Sequence, residues 1–244
     1  MPTHENHLIE LLGRTERQRL VEQGELVDLV LSDVICDRHQ RAMHVYFPIS
    51  GFISLVIAVD GRPGLEVGMV GREGMLGAEL LLGHASAPWR AVVQGAGTAW
   101  RMKAVLFQRA LAESPALRQM LGRYLAFRLE QLTLAAACER FHEIGPRLAR
   151  WLLMSQDRAQ SDTFHVTQEF LAFMLGVRRV GVTVAASELQ REGLIVYRRG
   201  ELTVLNREAL QARACSCYQS NQHTYHLLLG GKPKRGPAAG RATL

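Results

Sequence analysis

FLAFMLGVRRVGVTVAASELQREGLIVYRRGELTVL, residues Phe170 to Leu205, decides how the chain folds. A helical apolar rhythm breaks at Gly176, and two arginines, Arg178 and Arg179, follow at once. Thr167 is a good N-cap for a short helix over Gln168–Leu175. Leu171 and Leu175 face inward on it at i and i+4. Gly176 then tolerates the positive φ that a tight turn needs. A second helix, about residues 178–191, sets Val182, Ala185, Ala186 and Leu189 on one face. Small Ala172 and Ala185 let the two helices cross closely. Helix, glycine turn and helix make the helix-turn-helix pattern.

The second helix leaves Arg178, Arg179, Val180, Thr183, Val184 and Ser187 at its start and outer face, with no acid among them. In such motifs the N-terminal part of this helix enters the major groove. Arginine there grips guanine edges with two hydrogen bonds or sits on phosphate, and Val180 and Val184 can touch thymine methyls. GLIVYRRGELTVL then reads as strand (195–197), tight turn at Arg199-Gly200, and strand (202–205). That hairpin is a wing with Arg198 and Arg199 at its tip, where phosphate backbone passes. Glycine corners and arginine pairs also occur on proteins that never meet DNA. What points to DNA is the arrival of basic helix, basic hairpin and a long upstream helix in one chain.

Outward from that stretch, 244 residues are comfortable for two domains. Apolar residues at 48% and charged residues at 21% can fill a core, and a net charge of +6 favours acidic partners. The N-terminus has no secretory apolar run, and the longest apolar run, residues 52–59, is far short of the ~20 that span a bilayer. Four cysteines (Cys36, Cys138, Cys215 and Cys217) without a C-x-x-C pair give no disulfide framework. The expectation is a cytoplasmic, reduced protein without a membrane partner.

Residues 5–24 look helical, with Thr15 a cap for a second short turn. Between Leu26 and about Trp100, short β-rich runs at 26–31, 44–49, 52–59, 65–70 and 90–94 alternate with Gly, Pro and Asp turn signals. Such spacing predicts a sandwich or roll. After Met102 the period turns helical, and Leu117, Leu121, Leu125, Leu129, Leu132 and Ala136 recur at three- and four-residue steps. A stripe that long packs along its own domain or pairs with a second copy. Gly145-Pro146 stops it and opens a helix carrying Leu148, Trp151 and Leu152; residues 155–164 read as a polar loop. From residue 230 onward the Gly/Pro/basic composition predicts disorder. The expected domains are an effector-type roll with N-terminal helices (1–105), a dimerisation region (106–144), a winged helix-turn-helix (145–229) and a basic tail (230–244).

With these pieces in order, the chain resembles the Crp/Fnr regulators over about residues 20–212. VYFPISGFISL and EVGMVGREGMLG resemble their β-roll, residues 117–138 their dimerisation helix, and residues 166–195 their winged helix-turn-helix. The resemblance implies an α+β fold: an N-terminal antiparallel β-roll of jelly-roll type, a long dimerisation helix and a C-terminal winged helix-turn-helix. It implies double-stranded DNA and a second copy of the chain as partners, with RNA polymerase and an unidentified small-molecule effector as further candidates. The family's base-reading positions fall on Arg179, Val180 and Val184, of which only Arg179 keeps the usual residue type. Thr167, Gln168, Arg178, Thr183, Ser187, Arg198 and Arg199 complete the expected DNA contacts. Gly181, mid-helix, would let the helix approach the DNA backbone closely.

The family's phosphate cassette departs here. After Gly77 comes Ala78, Glu79 is one place late, and Arg90, beside Trp89, is the nearest candidate for the phosphate arginine. Gly77, Glu79, Trp89 and Arg90 are the expected effector pocket, and a cyclic nucleotide is disfavoured because no cation is placed for its phosphate. An iron–sulfur cluster lacks its N-terminal cysteines, haem would rest on His44, His84 or Cys36 alone, and no cofactor or metal is expected. Cys215-Ser-Cys217 forms a metal or redox pair only with further ligands, for which His223 and His226 lie nearby in sequence. No catalytic spacing or P-loop occurs, so no enzyme is expected. Two other classes remain open. One is a ligand- or protein-binding module with a degenerate winged helix; the other is a peripheral membrane protein using its basic tail.

Overall fold

The computed structural model describes residues 6–60 and 64–230, so the expected basic tail lies outside the described residues apart from Gly230. Asn6 caps α1 (His7–Glu10) by accepting from the Leu8 and Ile9 amides. α2 (Arg14–Glu22) follows from Gly13 with no side-chain cap, so Thr15 does not start it. The β-rich runs become β1 (Glu25–Leu29), β3 (His44–Pro48), β4 (Phe52–Ile57), β5 (Leu65–Val70) and β6 (Arg90–Gly95), joined by β2 (Val34–Cys36) and β7 (Gly97–Lys103). They form two antiparallel sheets, β1-β7-β3 and β2-β6-β4-β5. Leu29, Ile53, Leu55, Val70, Trp89 and Val93 fill a core of this roll. The roll therefore has the antiparallel architecture expected, with β7 running past Trp100 as the central strand of its sheet.

α3 (Ala104–Glu113) ends at Ser114, whose hydroxyl accepts from the Leu117 amide at 3.1 Å and opens α4 (Pro115–Phe141). Pro115 suits that first turn because it has no amide hydrogen to leave unpaired. α4 has 27 residues, a rod of about 40 Å. Leu117, Leu121 and Tyr124 on one side pack into the core shared by the roll and the N-terminal helices. α9 (Cys217–Leu229) lies along a second side, where Phe127 meets Tyr225 edge-on and Thr224 bonds Glu130. The side opposite α9 carries Gly122, Leu125, Leu129, Leu132 and Ala136; Leu129 is 66% exposed.

The remaining elements are α5 (Ile144–Ala159), β8 (Thr163–His165), α6 (Gln168–Leu175), α7 (Arg179–Arg191), β9 (Ile195–Arg198), β10 (Glu201–Val204) and α8 (Arg207–Arg213). The expected loop at 155–164 is mostly helix and strand instead. Ser155, Gln156 and Arg158 are buried, and two of them bond groups distant in sequence: Gln156 takes Arg207, and Arg158 takes Glu73. Leu148, Trp151 and Leu152 of α5 lie in one core with α6, α7 and the hairpin, and Phe52, Val56 and Met69 of the roll join it. Among the described residues no single helix is long and apolar enough to cross a membrane.

Glu66 of β5 sits where the roll meets α5. Its carboxyl accepts from Ser54 Oγ at 2.5 Å and from Trp151 Nε1 at 3.0 Å. Burial raises its pKa from 4.5 to about 7, the two hydrogen bonds offsetting only part of that. A raised pKa means the folded state holds the proton more tightly. The associated stability is full below the unfolded value of 4.5 and is lost as pH rises through about 7. The loss amounts to about 3 kcal/mol. Glu66→Gln keeps an oxygen for Trp151 without the ionisation, so its stability relative to wild type should rise by about 2.5 kcal/mol between pH 5 and 8. Urea unfolding of both proteins at the two pH values checks this; an unchanged difference would mean that the folded carboxyl is already ionised.

Candidate nucleic-acid interface

The corner at Gly176 is built as the sequence implies. Thr167 Oγ1 caps α6 by accepting from the Phe170 amide at 3.1 Å, and Gly176 takes φ +63° as the C-cap. α6 and α7 meet at 110°, within the usual helix-turn-helix range. Val182, Ala185, Ala186 and Leu189 are all buried, as are Leu171, Ala172 and Leu175 opposite them. Burying those four α7 positions leaves Arg179, Val180, Thr183, Val184 and Ser187 exposed on the far side, with Arg178 exposed as the N-cap. Val180 and Val184 are 67% and 54% exposed, unusual for valine on a folded surface.

Two hydroxyls on that face are held in place. Thr183 Oγ1 lies 2.7 Å from Gln168 Oε1, to which it donates, so the first turn of α6 is tied to α7. Ser187 Oγ donates to the Thr183 carbonyl at 2.8 Å. Both oxygens keep lone pairs for an incoming donor.

A Cβ at Gly181 would lie 2.6 Å from Ile144 Cδ1, the tip of a half-buried side chain at the start of α5, so the glycine gives that side chain room.

The hairpin after α7 is a wing. β9 and β10 pair antiparallel, and the tip residues Arg199 and Gly200 both have positive φ, +51° and +84°, the turn type that follows strand twist. β8 extends it to three strands in the order β8-β10-β9. Tyr197 anchors it: its hydroxyl donates to the Val166 carbonyl at 2.6 Å, and its amide donates to Gln190 Oε1 at 2.8 Å. Burial pushes the Tyr197 hydroxyl up to about 12, so it stays a donor. Arg198 and Arg199 project from the tip, exposed. None of Arg178, Arg179, Arg198 and Arg199 makes an ion pair or side-chain hydrogen bond among the described residues. Their guanidiniums are free for an anionic partner.

The expected effector residues are only partly together. Gly77, Glu79 and Trp89 line a cavity of about 120 Å³ in the roll with Cys36, His44 and His84. Gly77 holds φ +94° at the start of a 3₁₀ turn, and burial raises the Glu79 carboxyl. Arg90 is outside it: its side chain is exposed and pairs with Asp37 at 3.3 Å. Sequence distance misled here, because β6 begins at Arg90 and turns its first side chain outward. The cation that does lie beside Trp89 comes from α4: the Arg128 guanidinium sits 5.8 Å from the ring and donates to the Met69 carbonyl. The cavity is small beside the ~300–1,000 Å³ of usual ligand pockets.

The stripe expected to pair two copies also divides. Leu117 and Leu121 are buried in their own chain's core and are unavailable to a partner. Leu125 and Leu132 are half-buried, and Leu129 and Ala136 are exposed. One heptad-like pattern had merged two faces of α4.

The architecture is that of a winged helix-turn-helix protein with an N-terminal β-roll. Residues 146–213 match the family model of the Crp-like helix-turn-helix domain. FixK2 from Bradyrhizobium japonicum is similar at 15% identity and a TM-score of 0.65, over 79% of this chain and 98% of that one. The CLP regulator of Xanthomonas campestris, described as c-di-GMP responsive, matches at 18% identity and 0.64, over 80% and 100%. TTHA1359, a CRP/FNR-family regulator from Thermus thermophilus, matches at 21% and 0.65, over 78% and 98%. No curated protein matches the chain. The fold is that of the Crp/Fnr regulators.

Proposed function

We propose that the chain is a sequence-specific DNA-binding transcription regulator, acting in the cytoplasm as a homodimer on a near-palindromic site. The observation that carries it is the set of four unpaired guanidiniums, two at the start of α7 and two at the wing tip, on one buried-faced scaffold. The start of each α7 would enter one half-site, with half-site centres about 34–36 Å apart. Arg178, Arg198, Arg199 and the Thr167 end of α6 would hold phosphates, and Arg179 would carry the direct base discrimination. The exposed face of α4 supports the dimer, and residues 1–105, 106–144 and 145–229 would act as roll, dimerisation region and DNA-binding domain. A cyclic nucleotide fits the roll poorly, since Arg90 points away from the small cavity.

Selection of sites from random duplex DNA by the purified chain tests this reading. A recovered inverted repeat supports a dimeric sequence reader; random recovery from the ligand-free protein and from protein kept with cell extract removes it. Arg179→Ala should then weaken binding by about 1–3 kcal/mol and relax preference at one base pair per half-site. Competition with single-base variants of the selected site measures this, and an unchanged preference at every position would mean that α7 sits in another register.

One observation favours a second reading. Val180 and Val184 flank an open apolar trough with Ile144 and Gly181, a surface that a protein partner could cover. On that reading, DNA binding is weak, indifferent to sequence, and follows bulk charge.

A further inference from the structure

The two C-terminal cysteines find their companions in α4 and not among the histidines near them in sequence. Cys138 and His142 stand one turn apart at the end of α4, His142 being its C-cap. Cys215 and Cys217 stand at the corner between α8 and α9. All three cysteines are buried, and the three sulfurs and one histidine nitrogen lie within 4.8 Å of one another.

The distances carry the inference. For zinc at about 2.3 Å from sulfur and about 2.0 Å from nitrogen, a regular tetrahedron has edges of about 3.8 Å between sulfurs and about 3.5 Å between sulfur and nitrogen. Cys138 Sγ to Cys215 Sγ is 3.7 Å, His142 Nδ1 to Cys138 Sγ is 3.4 Å, and His142 Nδ1 to Cys217 Sγ is 3.5 Å. Three edges of a tetrahedron are thus already set. Ligands this close suit one ion; a multinuclear cluster would spread them further apart.

The backbone holds the four groups without help. The His142 amide donates to the Cys138 carbonyl at 3.1 Å, the Cys215 amide to the Pro146 carbonyl at 3.2 Å, and the Tyr218 amide to the Cys215 carbonyl at 3.0 Å. Three thiolates around a dication leave one negative charge, and the Arg150 guanidinium acts electrostatically on all three sulfurs. Its Nε is buried with no protein partner. A disulfide between Cys138 and Cys215 would use two of the four groups and leave Cys217 and His142 facing it for no reason.

We propose that Cys138, His142, Cys215 and Cys217 form a Cys3His site for a single divalent ion, zinc by preference, that pins the end of α4 to the corner between α8 and α9. The four-ligand set has no open position, so its role is structural. It joins the long helix to the segment that follows the helix-turn-helix domain, through residues 77 apart in sequence.

The test uses the full chain, purified under reducing conditions from zinc-replete cells without chelators. Elemental analysis should give one zinc per chain for wild type and for Cys36→Ser, whose cysteine is in the roll, and loss of that zinc for Cys215→Ser and His142→Ala. Should those variants fail to fold, the wild type alone decides. Stripped of metal and titrated with cobalt, it should show thiolate-to-cobalt charge transfer and the visible bands of tetrahedral cobalt, saturating at one equivalent. A metal-free wild type with no cobalt spectrum overturns the proposal. So does peptide mapping that finds Cys138 joined to Cys215 with no ion retained. One bound iron or copper in place of zinc would uphold the site and overturn the preference.

Discussion

Leu129→Asp should yield a folded monomer that has lost tight binding to duplex DNA. Leu129 is 66% exposed in a single chain, so the substitution removes little from its own core. It lies midway along the stripe of Gly122, Leu125, Leu129, Leu132 and Ala136, on the side of α4 that α9 leaves bare. If two copies pair along this stripe, symmetry sets each new carboxylate near its twin in an apolar seam. An uncompensated buried charge costs about 3–5 kcal/mol, enough to separate an ordinary dimer at micromolar concentration. Separated chains lose the linkage between half-sites, which is worth a factor of roughly 10²–10⁴. Light scattering after size exclusion, circular dichroism and binding to the selected duplex are the readouts. A dimer that persists would move the seam off this face. Leu121→Asp is the contrast: Leu121 is fully buried in its own chain, so that variant should unfold and not merely dissociate.

The second large effect is expected at Arg158. This side chain is buried, donates through Nε to Glu73 at 2.8 Å and through NH1 to the Met154 carbonyl at 2.8 Å, and so joins α5 to the turn after β5. Arg158→Met fills similar space but strands Glu73, whose side chain is only 22% exposed. Removing one member of a buried pair costs about 3–5 kcal/mol, and the partial exposure of Glu73 sets the lower end here. Because replacing both charges is far milder than removing one, Arg158→Met with Glu73→Gln should recover much of the loss. Denaturant unfolding of the wild type, both single variants and the double variant measures the coupling. Additive losses would mean that the pair contributes nothing beyond its separate contacts.

What was legible in the sequence follows from how local each determinant is. The corner at Gly176 could be read because its apolar spacing, its cap Thr167 and its positive-φ glycine lie within 23 consecutive residues, Thr167 to Leu189. The wing was legible for the same reason, down to the Arg199-Gly200 turn. Strands β1, β3, β4, β5 and β6 announced themselves by β-rich runs between turn signals, whereas β7 carries Arg101 and Lys103 and blurs into the helix after it. Polarity hid the end of α5, since Arg158 and Glu73 are 85 residues apart and nothing local shows that either is paired. On α4, apolar residues facing two partners share one period, so Leu117 and Leu129 looked alike. The cysteine cluster was invisible for want of any sequence link between Cys138 and Cys215; only the C-x-C spacing of Cys215 and Cys217 hinted at half of it.

α9 has one more consequence. Leu229 sits in the same core as Leu8, and the Tyr225 hydroxyl lies 2.6 Å from Nδ1 of His7 and donates to the Glu73 carbonyl at 2.8 Å. The packing of the earliest helices is therefore finished by one of the last. On the ribosome, where a chain emerges at about 5–20 residues per second, domains generally fold in order from the N-terminus. Here the core that Leu8 shares with Val45 and Phe47 lacks its last side chain until the chain has been made as far as Leu229, whereas the roll's other core, around Ile53 and Val93, has all its residues long before.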